Sequence, residues 1–206
     1  MGIALHKRKS SGSTLMTEGT IWKHILLFSI PLILGNMLQQ LYNTVDSIVV
    51  GNSLGSEALA AVGSSSSLIS LLISFSMGAA AGAGVIVSQF IGAQNKKGIH
   101  ESVHTALAIA LILGVVLTVL GITLSPQILR WMGTPDEVMP QSVIYLRLYF
   151  AGLLFSVLYN MASGILNAVG NSKRSLLYLA IASFTNIVLD LLFIPVLKMG
   201  IAGAAI

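Results

Sequence analysis

The stretch Val103-His-Thr-Ala-Leu-Ala-Ile-Ala-Leu-Ile-Leu-Gly-Val-Val-Leu-Thr-Val-Leu-Gly-Ile-Thr-Leu124 contains no acidic residue, no lysine and no arginine. A helix needs roughly 20 apolar residues to cross about 30 Å of hydrocarbon, and this run supplies them. Four more runs of comparable character lie at about 21–50, 59–91, 143–169 and 175–196, and a sixth opens near Gly200 just before the chain ends at Ile206. Several exceed the minimum, which predicts tilt or extension beyond the bilayer.

Composition agrees. Of 206 residues, 55% are hydrophobic and 9% charged. Soluble domains carry about 25% charged residues, so lipid is the natural solvent for this chain. The expected fold is all-α: a polytopic membrane helix bundle of five spans and the start of a sixth. With no cysteine, disulfides and thiolate chemistry are excluded. The 20 glycines suit membrane helices whose backbones approach closely. The net charge of +4 is not a nucleic-acid signal, because the basic residues sit in short clusters between apolar runs.

The breaks carry loop chemistry. Gly51-Asn52-Ser53 is read as the end of the first run, Ser56 as an N-cap for the second, and Ser125-Pro126 as the close of the third. Residues 127–139 form an amphipathic segment in which Trp131 suits the membrane interface. Basic residues set the orientation. Lys7, Arg8, Lys9, Lys23, Lys96, Lys97, Lys173 and Arg174 fall on one side, Arg130 and Lys198 on the other. The positive-inside rule then places the amino terminus in the cytoplasm. Residues 1–20 are expected to be a cytoplasmic tail. A cleaved signal peptide fits poorly, because the first run is too long and contains Gln39, Gln40, Asn43 and Asp46.

Asp46 and Asp190 lie inside apolar runs. A charge at the bilayer centre costs at least about 2.5–3.5 kcal/mol, so these residues must face protein or water. Gln39, Tyr42, Asn43 and Asp46 are spaced to share one helix face. So are Ser183, Asn186 and Asp190, and a stripe of Tyr145, Tyr149, Ser156, Asn160, Ser163 and Asn167 runs along the fourth span. Three polar stripes predict a shared wet cavity; interhelical hydrogen bonding across a dry bundle is the plainer reading for the amides and serines. An ionisable group is a costly way to join helices, which favours a transport role for the two acids. Pro31 lacks an N–H and crowds the preceding turn, giving a candidate hinge.

His100-Glu101-Ser102-Val103-His104 matches H-E-x-x-H, the zinc protease pattern. A membrane-embedded zinc metalloprotease is therefore an alternative. The plainer reading is an interfacial helix start with Glu101 near the positive dipole end. No third ligand follows, so no metal site and no catalytic residue are expected.

Six segments carry a family resemblance: Ser29-Ile-Pro31, Gln40-Leu-Tyr-Asn-Thr-Val-Asp46, Leu59-Ala-Ala-Val-Gly63, Val87-Ser-Gln-Phe-Ile-Gly-Ala93, Gly170-Asn-Ser-Lys-Arg174 and Asn186-Ile-Val-Leu-Asp190. On these the chain resembles the multidrug and toxic compound extrusion (MATE) transporters, most closely the bacterial DinF-type branch. The resemblance implies a two-lobed, twelve-helix exporter of cationic amphipathic drugs, driven by protons or sodium ions, with no further cofactor. It implies that residues 21–206 are the amino-terminal lobe, cut short in the sixth helix and lacking its carboxy-terminal lobe. It places Asp46, Asn186 and Asp190 at a cation site, Tyr42, Tyr145 and Asn160 along the same cavity, and a helix bend at Pro31. The partners implied are membrane lipid, small cationic substrates and the missing lobe, in the cell membrane. A related fold serves flippases of lipid-linked sugars, whose cavities carry more basic residues; here, beyond Lys23 at the very start of the first run, Arg147 is the only one within a run.

Overall fold

The computed structural model describes residues 20–205; the basic cluster Lys7, Arg8 and Lys9, the tail up to residue 19 and Ile206 lie outside them. The elements are α1 (Ile21–Leu54), α2 (Ser56–Gly92), α3 (Lys96–Trp131), α4 (Met139–Ala168), α5 (Ser172–Leu191), a π turn (Leu192–Val196) and α6 (Ile201–Ala205). Among the described residues, five helices are long and apolar enough to span a membrane. Their large exposed side chains, such as Leu27, Leu71, Ile112, Phe155 and Phe184, suit contact with lipid tails.

Short connections alternate the direction of successive spans. Three helices end alike, with left-handed residues at Gln94, Gly133 and Gly170. At each, the following N–H reaches back to satisfy a terminal carbonyl: Asn95 to Phe90 (3.0 Å), Thr134 to Leu129 (3.1 Å) and Asn171 to Leu166 (3.0 Å). The next helices start on side-chain caps at two of these places. Asn95 accepts from the Gly98 N–H and Asn171 from the Arg174 N–H.

Several boundaries differ from the sequence reading. Gly51, Asn52 and Ser53 are helical, and the break falls at Gly55, whose φ of 86° needs no Cβ. Ser56 is the first residue of α2 and caps nothing. The third span runs through Ser125-Pro126 to Trp131. A spanning helix tolerates a proline because neighbouring groups re-satisfy the backbone it frees. The fifth span widens at its end. Pro195 has no N–H to offer a residue four back, and the Leu197 N–H instead reaches five back to the Leu192 carbonyl (2.9 Å).

Packing divides the bundle in two. α4 packs against both α2 and α3, while α1 packs mainly against α5. The first group holds a core of Leu72, Leu129, Leu146, Phe150, Leu153 and Met161 with interleaved alanines. Backbone approach is closest where α2 meets α4: a Cβ added at Gly164 would stand 2.8 Å from the Ala80 carbonyl oxygen. A second cluster joins the ends of both groups through Val50, Ala61, Val62, Val138, Tyr145, Ile194 and Ile201.

Candidate functional site

Four reversals of direction separate α1 from α5, so they run parallel. Gly35 lets them close: an added Cβ would stand 3.3 Å from Leu179 Cδ2. Each acid lies eleven residues beyond that contact, Asp46 beyond Gly35 and Asp190 beyond Leu179. At 1.5 Å per residue both helices rise about 16 Å over that distance, so the two carboxyl groups arrive at one depth. They are within electrostatic range of each other, and Tyr145 of α4 is within range of both. Tyr42 lies near Asp46 and Tyr145 in the same sense.

Asp190 is only 4% exposed, and Asp46 is half-buried. Asp46 Oδ1, Asp190 Oδ2, Asn186 Oδ1 and Ser183 Oγ are all buried without a hydrogen-bond partner. Unmet buried acceptors are costly. Three of these four atoms can only accept when the acids are ionised, which is the chemistry of a hard cation or of protons. Val50, one turn beyond Asp46, and Ile194, one turn beyond Asp190, belong to the second apolar cluster. That cluster stands between the acids and the nearer end of the bundle.

A family model described as MatE matches residues 31–192. The chain belongs to the MatE family. It is 38% identical over 189 residues to the probable multidrug resistance protein YpnP of Bacillus subtilis (strain 168), covering 92% of this chain and 42% of that protein. Two crystal structures of MATE match closely. The one described as bent has a TM-score of 0.85 at 35% identity, over 91% of this chain and 42% of that one. The one described as straight has a TM-score of 0.83 at 36% identity, over 89% and 40%. The chain thus spans about two-fifths of the length of these proteins, and it corresponds to the amino-terminal lobe of the MATE fold.

Not every residue singled out in this MatE chain joins the acids. Gln39, Tyr42 and Asp46 are half-buried on the inner side of α1, whereas Asn43 is exposed and turns to Gln40, its Nδ2 3.4 Å from Gln40 Oε1. Asn160 is fifteen residues along α4 from Tyr145, about 22 Å away along the axis. It lines a separate cleft of about 380 Å³ between α1, α2 and α4, with Phe28, Ser88, Ser163 and Asn167. Pro31 is buried, and α1 is continuous through it.

Two exposed polar stripes were not grouped as such from the sequence. Ser66, Ser67, Ser70 and Ser74 form an exposed stripe on α2, and Asn36, Gln40, Asn43, Thr44 and Ser47 form another on α1. The serine spacing was available as a signal, but serine in a glycine- and alanine-rich helix reads first as close packing. At H-E-x-x-H, Glu101 Oε1 lies 3.7 Å from Lys97 Nζ, both exposed. Among the described residues no three His, Asp or Glu side chains are grouped to hold a metal.

Proposed function

We propose that this chain is the amino-terminal lobe of a secondary antiporter that exports cationic, amphipathic compounds in exchange for protons or sodium ions. The single observation behind this reading is the meeting of Asp46, Asn186 and Asp190 at one depth on two parallel helices, with unpartnered buried oxygens on all three. Two carboxyl groups in a poorly solvated place do not both ionise readily. A coupling cation or proton relieves their repulsion and favours one helix arrangement, and a cationic substrate competes for the same negative charge. Exchange then follows as a population shift between arrangements. Pro31 is the proposed hinge, because the missing N–H weakens α1 midway between its start and Asp46. The exposed polar stripes of α1 and α2 fit a cavity completed by a carboxy-terminal lobe. The clustering of Lys96, Lys97, Lys173 and Arg174 supports a cytoplasmic amino terminus in the cell membrane.

The test uses the complete protein in proteoliposomes, with drug efflux driven in turn by a proton and a sodium gradient. Asp46→Asn and Asp190→Asn should each abolish gradient-driven export while leaving folding intact. Full gradient-driven export in either variant would overturn the coupling role of that aspartate.

A further inference from the structure

The H-E-x-x-H segment takes no part in the acid cluster, and its geometry points elsewhere. His100 and His104 stand one turn apart on the exposed face of α3. Their rings stack with centroids 4.0 Å apart and planes 29° from parallel. His104 Nδ1 lies 2.8 Å from the His100 carbonyl oxygen. A carbonyl can only accept, so Nδ1 carries the hydrogen and donates. The neutral ring therefore keeps its lone pair on Nε2, fixed in direction. Backbone bonding of one ring nitrogen is how proteins orient a histidine whose other nitrogen binds a metal.

From this arrangement we propose that His100 and His104 form a two-imidazole chelate for a transition-metal dication, the remaining coordination positions being filled by water. Imidazole lone pairs lie in the ring planes, so the stack itself holds no ion. Turning the exposed His100 ring out of it brings one of its nitrogens and His104 Nε2 to a shared ion at bonds of about 2.0–2.1 Å, as two histidines four residues apart on one helix face can do. Charge does not provide the attraction. Lys96 and Lys97 flank the site, the positive end of the α3 dipole lies beside it, and Glu101 is turned to Lys97. Affinity must come from nitrogen coordination itself. That selects ions that favour imidazole, copper(II) ahead of nickel(II) and zinc(II), over magnesium and calcium. Two ligands without a free carboxylate make a binding site, not the hydrolytic site that the five-residue pattern suggests. The proposal stands independently of the coupling role of Asp46 and Asp190.

The test is copper(II) titration of the complete, untagged protein in detergent, read by electron paramagnetic resonance, with His6→Ala/His24→Ala as the common background. The expected result is one copper whose spectrum carries coupling to two imidazole nitrogens, undisturbed by millimolar magnesium or calcium. Second-ligand-sphere partners alone are worth roughly 10–100-fold in affinity, so losing a ligand in His100→Ala or His104→Ala should cost at least roughly tenfold. Glu101→Gln should keep the affinity. Both histidines are exposed, so the variants should retain the parent's melting temperature without metal, and drug export in metal-free buffer should be unchanged. Copper binding at parent affinity in the His100→Ala/His104→Ala variant, or no copper signal in the parent, would overturn the proposal. An equal loss in Glu101→Gln would overturn it in favour of a three-ligand site.

Discussion

Gly35 and Leu179 fix the register that brings two acids together. A Cβ on Gly35 would lie 3.3 Å from Leu179 Cδ2, tighter than ordinary contact but against the end of a flexible side chain. Gly35→Ala should therefore be tolerated, whereas Gly35→Val should overpack the seam and cost about 1–3 kcal/mol. Because the neighbours couple, Leu179→Ala should restore part of the loss in Gly35→Val. Thermal unfolding in detergent reads the stability, and gradient-driven export reads the register. Strict additivity of the two substitutions would remove Gly35 as the register point.

Gly164 presents the opposite case. Its added Cβ would meet the Ala80 carbonyl oxygen at 2.8 Å and the Ala80 Cβ at 3.0 Å. Backbone cannot swing aside as a leucine tip can, so even Gly164→Ala should separate α2 from α4 and destabilise by about 1–3 kcal/mol. Gly82 on α2 has nothing within 4 Å of an added Cβ. Gly82→Ala should be neutral or gain up to about 1 kcal/mol, the usual advantage of alanine in a helix. Melting temperatures of the two variants compare the effects directly, and equal shifts would contradict the close α2–α4 crossing.

Much of this was readable before any coordinates. Five spans follow from uninterrupted apolar runs, because lipid demands length and little else. The acids stood out because each is an expensive exception within such a run. Helix ends were less legible. Ser125-Pro126 looks like a stop by soluble-protein rules, yet α3 continues to Trp131, and the π turn at Pro195 depends on where the tertiary structure lets the chain widen. Helical spacing grouped Asn43 with Asp46, but only the position of α5 decides which side of α1 is inside. Likewise Asn160 shares a stripe with Tyr145 while lying far from it in depth.

Orientation can be read with single cysteines, since the chain has none. Lys97 and Asp136 are both exposed, and they bracket opposite ends of α3, whose 36 residues span about 54 Å. In intact cells a membrane-impermeant thiol reagent should label Asp136→Cys and spare Lys97→Cys. Labelling should become equal once the membrane is permeabilised. The reverse pattern in intact cells would invert the proposed topology.

The acid pair allows a sharper test than loss of function. If Asp46 and Asp190 act as one unit with Asn186 between them, removing either charge already destroys the exchange of repulsion for cation binding. Asp46→Asn/Asp190→Asn should then export scarcely less than either single variant, a departure from additivity expected of groups in one network. Independent acids would give losses that multiply. Asn186→Leu separates structure from coupling: it keeps the side-chain size and removes the oxygen left unpartnered at the site. It should weaken coupled export while relieving an unmet buried acceptor, so its melting temperature should stay level or rise. Ser183→Ala, a turn further from Asp190, removes a hydroxyl that can also donate, and its effect on export should be the smaller. Parallel measurement of efflux and unfolding in these variants decides the matter. Multiplicative losses at the two aspartates, or a destabilised Asn186→Leu with undiminished coupling, would return these residues to an ordinary role in joining helices.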